Sequence, residues 1–287
     1  MLCKPLFKKD RGVGRMGKEI DIKMQRLQDR LSRMKNVAVA LSGGVDSTLL
    51  AAVAYKILGD RVMTLTARSA SHPAEESDYA RKMADEIGVR HLFFESREMT
   101  DPEFLENSPT RCYHCKMNMF AAMRKLAADM GIEMLVHGAN ADDRKDFRPG
   151  FQAAQAMDFH APLMDAGLTK AEIRMLAGKL ALSNADRPAM ACLVTRIPYG
   201  VKITEEILTR IRRAERLVRS LGIGQCRVRD YDRLARIEIP PADIEMICRS
   251  DNRQKLVTGL RALGYDHISL DLEGYISGKM NRELSEK

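Results

Sequence analysis

Val37-Ala38-Val39-Ala40-Leu41-Ser42-Gly43-Gly44-Val45-Asp46-Ser47-Thr48 is the stretch whose reading decides the fold of this chain. Its five leading apolar residues read as a buried strand and the residues around the two glycines as a tight turn. Thr48 to Leu58 then reads as a helix. Strand, turn and helix in that order build a cradle for a phosphate. The glycines admit backbone N–H groups close to an anion, and the helix start adds the positive end of its dipole. The Gly-Lys-Ser/Thr ending of a Walker A loop is missing, so transfer of a γ-phosphoryl group is not the natural chemistry. Taken alone, the same residues also allow an ordinary Gly-Gly turn after a strand.

Working outward, strands are expected at Val62 to Ala67, Val89 to Phe94 and Met134 to His137. Helices are expected at Pro73 to Ile87, closed by Gly88, and at Cys115 to Met130, closed by Gly131. Strands alternating with helices of this length argue for a parallel sheet covered on both faces. Gly138 to Gly150 reads as a polar loop. A helix from Thr169 to Leu180 follows, with Thr169 as cap and Glu172 completing a capping box. Asn184 to Gly200 is a long segment of the kind that often carries function. From Thr204 the pattern changes to a charged helix reaching Leu221, strands at Gln225 to Asp230 and Leu234 to Ile239, and a last strand at His267 to Leu272. The expected organisation is a basic tail over residues 1–20, an α/β domain over 21–200, and a small α/β domain with an antiparallel sheet over 201–287.

At 287 residues, with 45% hydrophobic and 30% charged side chains, the chain has the composition of a globular protein with a sizeable core. No apolar run approaches the ~20 residues needed to span a bilayer, and the basic start has no signal-peptide core, so a cytoplasmic protein without a membrane partner is expected. The net charge of +8 is concentrated in residues 1–36, which hold eleven Lys/Arg against four Asp/Glu; the rest is nearly neutral. With only 5% aromatic residues and no tryptophan, the body offers little to a nucleic acid. A second basic region, Arg196 to Arg236, contains Arg227 and Arg229 around Val228. Two arginines two residues apart on a strand project to one face and suit bidentate contact with phosphate or carboxylate, with Arg196 nearby. The plainer alternative is a strand with solvated charges.

Six cysteines in such a chain do not suggest a disulfide framework. Cys226 and Cys248 have apolar neighbours and read as core or half-buried thiols. Arg111-Cys112-Tyr113-His114-Cys115-Lys116 sits at a helix entry, where two thiols three positions apart share one side of the first turn. Cys-x-x-Cys alone leaves four readings open: a redox pair, half a zinc site, part of an iron–sulfur site, or two incidental thiols.

Ser42-Gly43-Gly44-x-Asp46-Ser47 resembles the PP-loop of the ATP pyrophosphatases. The resemblance implies that Ser42, Gly43, Gly44, Asp46 and Ser47 bind ATP, with Mg2+ near Asp46 and cleavage between the α- and β-phosphates. Cys192-x-x-x-Arg196-x-Pro198-Tyr199-Gly200 resembles a signature of the sulfur transferases that build the nickel-pincer nucleotide cofactor of lactate racemase. Asp146 to Gly150, Arg227 to Arg229 with Ala235 to Glu238, and Asp271 to Asn281 are similar to that family as well. The resemblance runs from about Lys18 to the end. It implies adenylation of the carboxylates of a small pyridinium nucleotide, displacement of AMP by a sulfur nucleophile, and a homo-oligomer, hexamers among the possibilities. In some members the cysteine matching Cys192 gives up its own sulfur. Cys112 and Cys115 depart from that form. Members with three cysteines are thought to hold a 4Fe-4S cluster, which here implies Cys112, Cys115 and Cys192 as ligands and a cluster-bound sulfide as donor. A persulfide relay through Cys112 and Cys115, and a PP-loop tRNA thiolation enzyme, are the competing readings.

Overall fold

A computed structural model of the chain describes residues 15–145, 149–188, 191–276 and 279. In chain order the helices and strands are α1 (Arg15–Ser32), β1 (Val37–Ala40), α2 (Val45–Leu58), β2 (Val62–Arg68), α3 (Ala74–Ile87), β3 (Arg90–Glu95), α4 (Pro102–Leu105), α5 (Arg111–Asp129) and β4 (Met134–Val136). They continue as α6 (Pro149–Ala156), α7 (Pro162–Asp165), α8 (Lys170–Lys179), α9 (Glu205–Arg219), β5 (Arg227–Tyr231), β6 (Leu234–Glu238), α10 (Ile244–Cys248), α11 (Ser250–Ala262) and β7 (His267–Leu270). Two compact units result. The first takes the described parts of Met1–Ser69, Ala74–Glu98 and Cys112–Met190; the second takes the described parts of Ala70–Pro73, Met99–Arg111 and Ala191–Lys287.

The first unit is a parallel sheet in the order β3-β2-β1-β4. Its apolar strands are covered on both faces, as all-parallel sheets require. The period of two is visible in β1: Val37 and Val39 join the cluster built on α1, α2 and α8, while Ala38 joins Phe120, Met123 and Ala127 of α5 on the other face. The α2 helix carries Leu49, Leu50, Ala51, Val53 and Ala54 with almost no exposure. A helix buried on nearly every side has no polar stripe, which explains the unbroken apolar run over residues 49–54. The strand order reverses between β1 and β4, and open α/β sheets bind ligands in the crevice at the carboxyl ends of the strands flanking that point.

The second unit contains a three-stranded sheet, β5-β6-β7, with α9, α10 and α11 packed around Val228, Ile237, Ile247, Leu256 and Leu260. The antiparallel sheet expected from sequence is mixed instead. β5 and β6 form an antiparallel hairpin, but β7 lies parallel to β6 because a helical crossover joins them. Other expectations shift more modestly. The α5 helix begins at Arg111, four residues earlier than expected, directly after the Ser108-Pro109-Thr110 turn whose Ser108 carbonyl accepts the Arg111 N–H at 3.0 Å. The polar loop expected at Gly138 to Gly150 contains a 3-10 turn at Ala141–Lys145 and the start of α6, and Asp146, Phe147 and Arg148 lie outside the described residues. Cys248, expected in the core or half-buried, is exposed, whereas Cys226 is buried. Among the described residues no helix is long and apolar enough to cross a membrane.

Candidate active site

The loop after β1 is built to present backbone donors. Gly43 adopts φ +75°, a conformation open to glycine and strained for any other residue, and a Cβ there would press on Ala80 and Tyr79 of α3 at 3.2–3.3 Å. Ser47 Oγ ties the loop into a ring: it donates to the Gly44 carbonyl at 3.1 Å, and the Ser42 N–H donates to it at 3.2 Å. Gly44 occupies the cap position of α2 and supplies no side-chain cap. The first-turn N–H groups of this helix are therefore open to an anion, whereas α8 and α9 have theirs capped by Thr169 and Thr204.

Asp46, one residue into α2, faces two donors. Asn140 Nδ2 donates to Oδ1 at 3.2 Å, and the Lys170 ammonium donates to Oδ2. Asn140 is held within its own loop, and Lys170 is held at its backbone. The Asn140 N–H donates to Asp143 Oδ2, its Oδ1 accepts from the Asp142 N–H, and the Lys170 N–H donates to Asp142 Oδ2. Gly138 lets this loop approach: a Cβ there would stand 2.8 Å from the Ser47 nitrogen. Asn184, wholly buried, clamps the opposite side, donating to the Gly43 carbonyl and Thr48 Oγ1, each at 2.9 Å. Lys170, Asn140 and Asn184 were missed in the sequence. The Thr169–Glu172 capping box that places Lys170 was legible, but it reads as a helix signal rather than a site signal.

Cys112 and Cys115 stand one turn apart at the start of α5, the first exposed and the second half-buried, neither in a disulfide among the described residues. Farther along that helix, Phe120 packs on the ring of His137, which follows β4 and also lies near Phe151. Burial, with the Lys116 charge adding to it, lowers His137 to about 4, so this imidazole is neutral near pH 7.

In the second unit Cys192 leads a 3-10 turn, Leu193–Arg196. Its thiol donates to the Ser71 carbonyl at 3.2 Å, and the Leu193 N–H donates to the same oxygen. Arg196 has no exposure. Its Nε and Nη2 grip both oxygens of buried Glu215 at 2.7 and 3.1 Å, and Nη1 donates to the carbonyls of Ala191 and Cys192. Arg196 therefore holds the Cys192 turn. Arg229 reinforces it, donating to the Thr195 carbonyl at 2.6 Å and to Glu238. Arg227 is 3% exposed, lies over the ring of Tyr275, and donates through Nη1 to the Cys226 carbonyl. Its Nη2 has no partner among the described residues. Burial first, and the Arg196 charge second, hold its pKa below the usual guanidinium range.

The structure thus groups Ser42, Gly43, Gly44, Asp46 and Ser47 at one crevice, pairs Cys112 with Cys115, and aligns Arg227 with Arg229 on one strand. Cys192 and Arg196 belong with the arginines to the second unit, whereas Cys112 and Cys115 belong to the first. Among the described residues no three His, Cys, Asp or Glu side chains form a metal-binding group.

Residues 25–145 match the family described as asparagine synthase. The chain is 34% identical over 259 residues to pyridinium-3,5-bisthiocarboxylic acid mononucleotide synthase of Lactiplantibacillus plantarum, covering 89% of this chain and 92% of that one. It is 40% identical over 266 residues to the uncharacterized protein slr1717 of Synechocystis sp., covering 93% and 99%. A more distant similarity, 26% over 195 residues and about half of each chain, connects it to the tRNA-specific 2-thiouridylase MnmA of Rickettsia rickettsii.

Proposed function

Since this chain belongs to the PP-loop ATP pyrophosphatases, as an enzyme of the sulfur-transferring family that includes the Lactiplantibacillus plantarum synthase, we propose that it converts the carboxylates of a pyridinium-3,5-biscarboxylate mononucleotide to thiocarboxylates at the expense of ATP. The observation carrying the reading is the uncapped start of α2 beside Asp46, at the sheet's switch point. A triphosphate fits those N–H donors, and the oxygens of Asp46 suit Mg2+. A carboxylate oxygen of the acceptor attacks the α-phosphorus, the bond to the β-phosphate bridge breaks, and pyrophosphate leaves into the loop. A sulfur nucleophile then attacks the acyl carbon and AMP departs. Arg227 and Arg229 offer the acceptor's anionic groups a grip, and Arg196 beneath them keeps the Cys192 turn in place.

For the sulfur source, Cys112, Cys115 and Cys192 would hold a 4Fe-4S cluster. The donor chemistry fits, since all three are cysteines outside any disulfide among the described residues and two are spaced one turn apart on a helix. Such a cluster, when bound, supplies an exchangeable sulfide at an iron without a protein ligand. A second reading has an observation of its own. The Cys192 thiol donates a hydrogen bond to the Ser71 carbonyl, a fixed single-thiol placement that suits a Cys192 that surrenders its own sulfur. Anaerobic purification with iron and sulfide analysis, followed by mass spectrometry after turnover, decides between them. The cluster reading expects bound iron, broad visible absorption lost in Cys112→Ala, and an intact Cys192. Iron-free active protein that loses one hydrogen sulfide at Cys192 overturns it.

A further inference from the structure

We infer that Lys170 gates the metal: its ammonium holds Asp46 until the phosphates of ATP draw it away, so that Mg2+ enters with the nucleotide and not before it. The inference rests on the reading of this loop as a Mg-ATP site. Its starting point is that both carboxylate oxygens of Asp46 are already engaged, Oδ1 by Asn140 and Oδ2 by Lys170. A hard cation binds through carboxylate oxygen, and an ammonium on that oxygen opposes it by charge as well as by occupancy.

The two donors differ in their freedom to leave. Asn140 is 6% exposed, and its backbone and its amide oxygen are both bonded within its own loop. Lys170 is fixed only at its backbone, where it opens α8 under the Thr169–Glu172 capping box and donates to Asp142. Its side chain is 35% exposed, rides on a flexible four-carbon stem, and pairs with Asp46. The neighbouring carboxylates are engaged elsewhere: Glu172 pairs with Lys23 at 2.8 Å, Asp143 accepts from Asn140, and Asp142 accepts from the Lys170 N–H. A triphosphate docked on the start of α2 brings several anionic oxygens to an ammonium that now has one carboxylate. Charge-assisted contacts with phosphate then outweigh the single partly exposed pair, and Asp46 Oδ2 is released to the metal.

The test measures Mn2+ binding by electron paramagnetic resonance without nucleotide, and metal-free ATP binding by calorimetry. The proteins are the full-length wild type, Lys170→Met, Lys170→Arg and the double variant Lys170→Met with Asp46→Asn. Removing the ammonium should tighten Mn2+ binding about fivefold, the upper end expected for a partly exposed pair. The double variant should erase that gain, and Lys170→Arg should stay as weak as the wild type. Metal-free ATP should bind about tenfold more weakly to Lys170→Met, because a phosphate partner is lost. Unchanged Mn2+ affinity in Lys170→Met, a gain that survives Asp46→Asn, or unchanged metal-free ATP affinity each overturn the inference. The expected shifts together with an absence of AMP formation would count against the sulfur-transfer reading alone.

Discussion

Arg196 and Glu215 concentrate the cost and the purpose of buried charge in one place. Both side chains have no exposure, and Glu215 also accepts from Arg219 and from the Val228 N–H. Two desolvated charges are tolerated because every strong donor and acceptor is met, and removing one partner strands the other. Arg196→Met is expected to lower unfolding stability by about 3–5 kcal/mol in urea titration. A loss below about 1 kcal/mol would mean that the pair is not the keystone of the Cys192 turn. The same geometry explains why sequence reading placed Arg196 among residues near a substrate. Motif and charge identify it, but only the fold reveals that Glu215, nineteen positions away, takes up its guanidinium. Arg227 differs in having an unpartnered Nη2 among the described residues, a signal of available binding capacity that no sequence pattern carries.

Among the elements, the contact between the end of β4 and the start of α2 does most to shape the crevice. Gly138 is needed there for space rather than for a special backbone angle, since a Cβ would meet Ser47 N and Cα at 2.8 and 3.0 Å. Gly138→Ala is expected to push the loop from α2, weakening ATP binding by about tenfold and costing about 1–3 kcal/mol of stability, the range for overpacking a tight site. Calorimetric titration with ATP checks this, and unchanged affinity would show that the approach is not required. The elements themselves were largely legible. The apolar run before Ser42, the capping box at Thr169 and the glycines after α3 and α5 are local signals, and the elements they mark are present. The short α6 and α7 were not legible, because one or two helical turns have no period to detect. The direction of β7 was not legible either, because pairing is decided by the crossover and not by the strand's own residues.

At the scale of the whole molecule, the body of this chain is close to neutral. The chain's charge gathers in the first 36 residues, all of which precede β1. Acid should be a more telling stress than salt. Burial first, then the Arg81 charge, lowers His91 to about 4, and His137 is lowered to about 4 as well. The unfolded chain takes up these protons near pH 6.5 while the folded protein refuses them until about pH 4. The stability from keeping both rings neutral is therefore complete above about pH 6.5 and declines as pH falls toward 4. The urea midpoint should drop across that window, and His137→Gln should flatten the drop by on the order of 2 kcal/mol. A midpoint constant from pH 6.5 to 4 would contradict the assignment. The central claim concerns chemistry, and one measurement reaches it most directly. Anaerobic protein is incubated with ATP, Mg2+ and pyridinium-3,5-biscarboxylate mononucleotide, and the nucleotide products and acceptor mass are read together by chromatography and mass spectrometry. The account predicts AMP and pyrophosphate in step with an acceptor gaining the mass difference between sulfur and oxygen, all abolished in Asp46→Ala. Release of ADP, or AMP formed with the acceptor's oxygens intact, would contradict it.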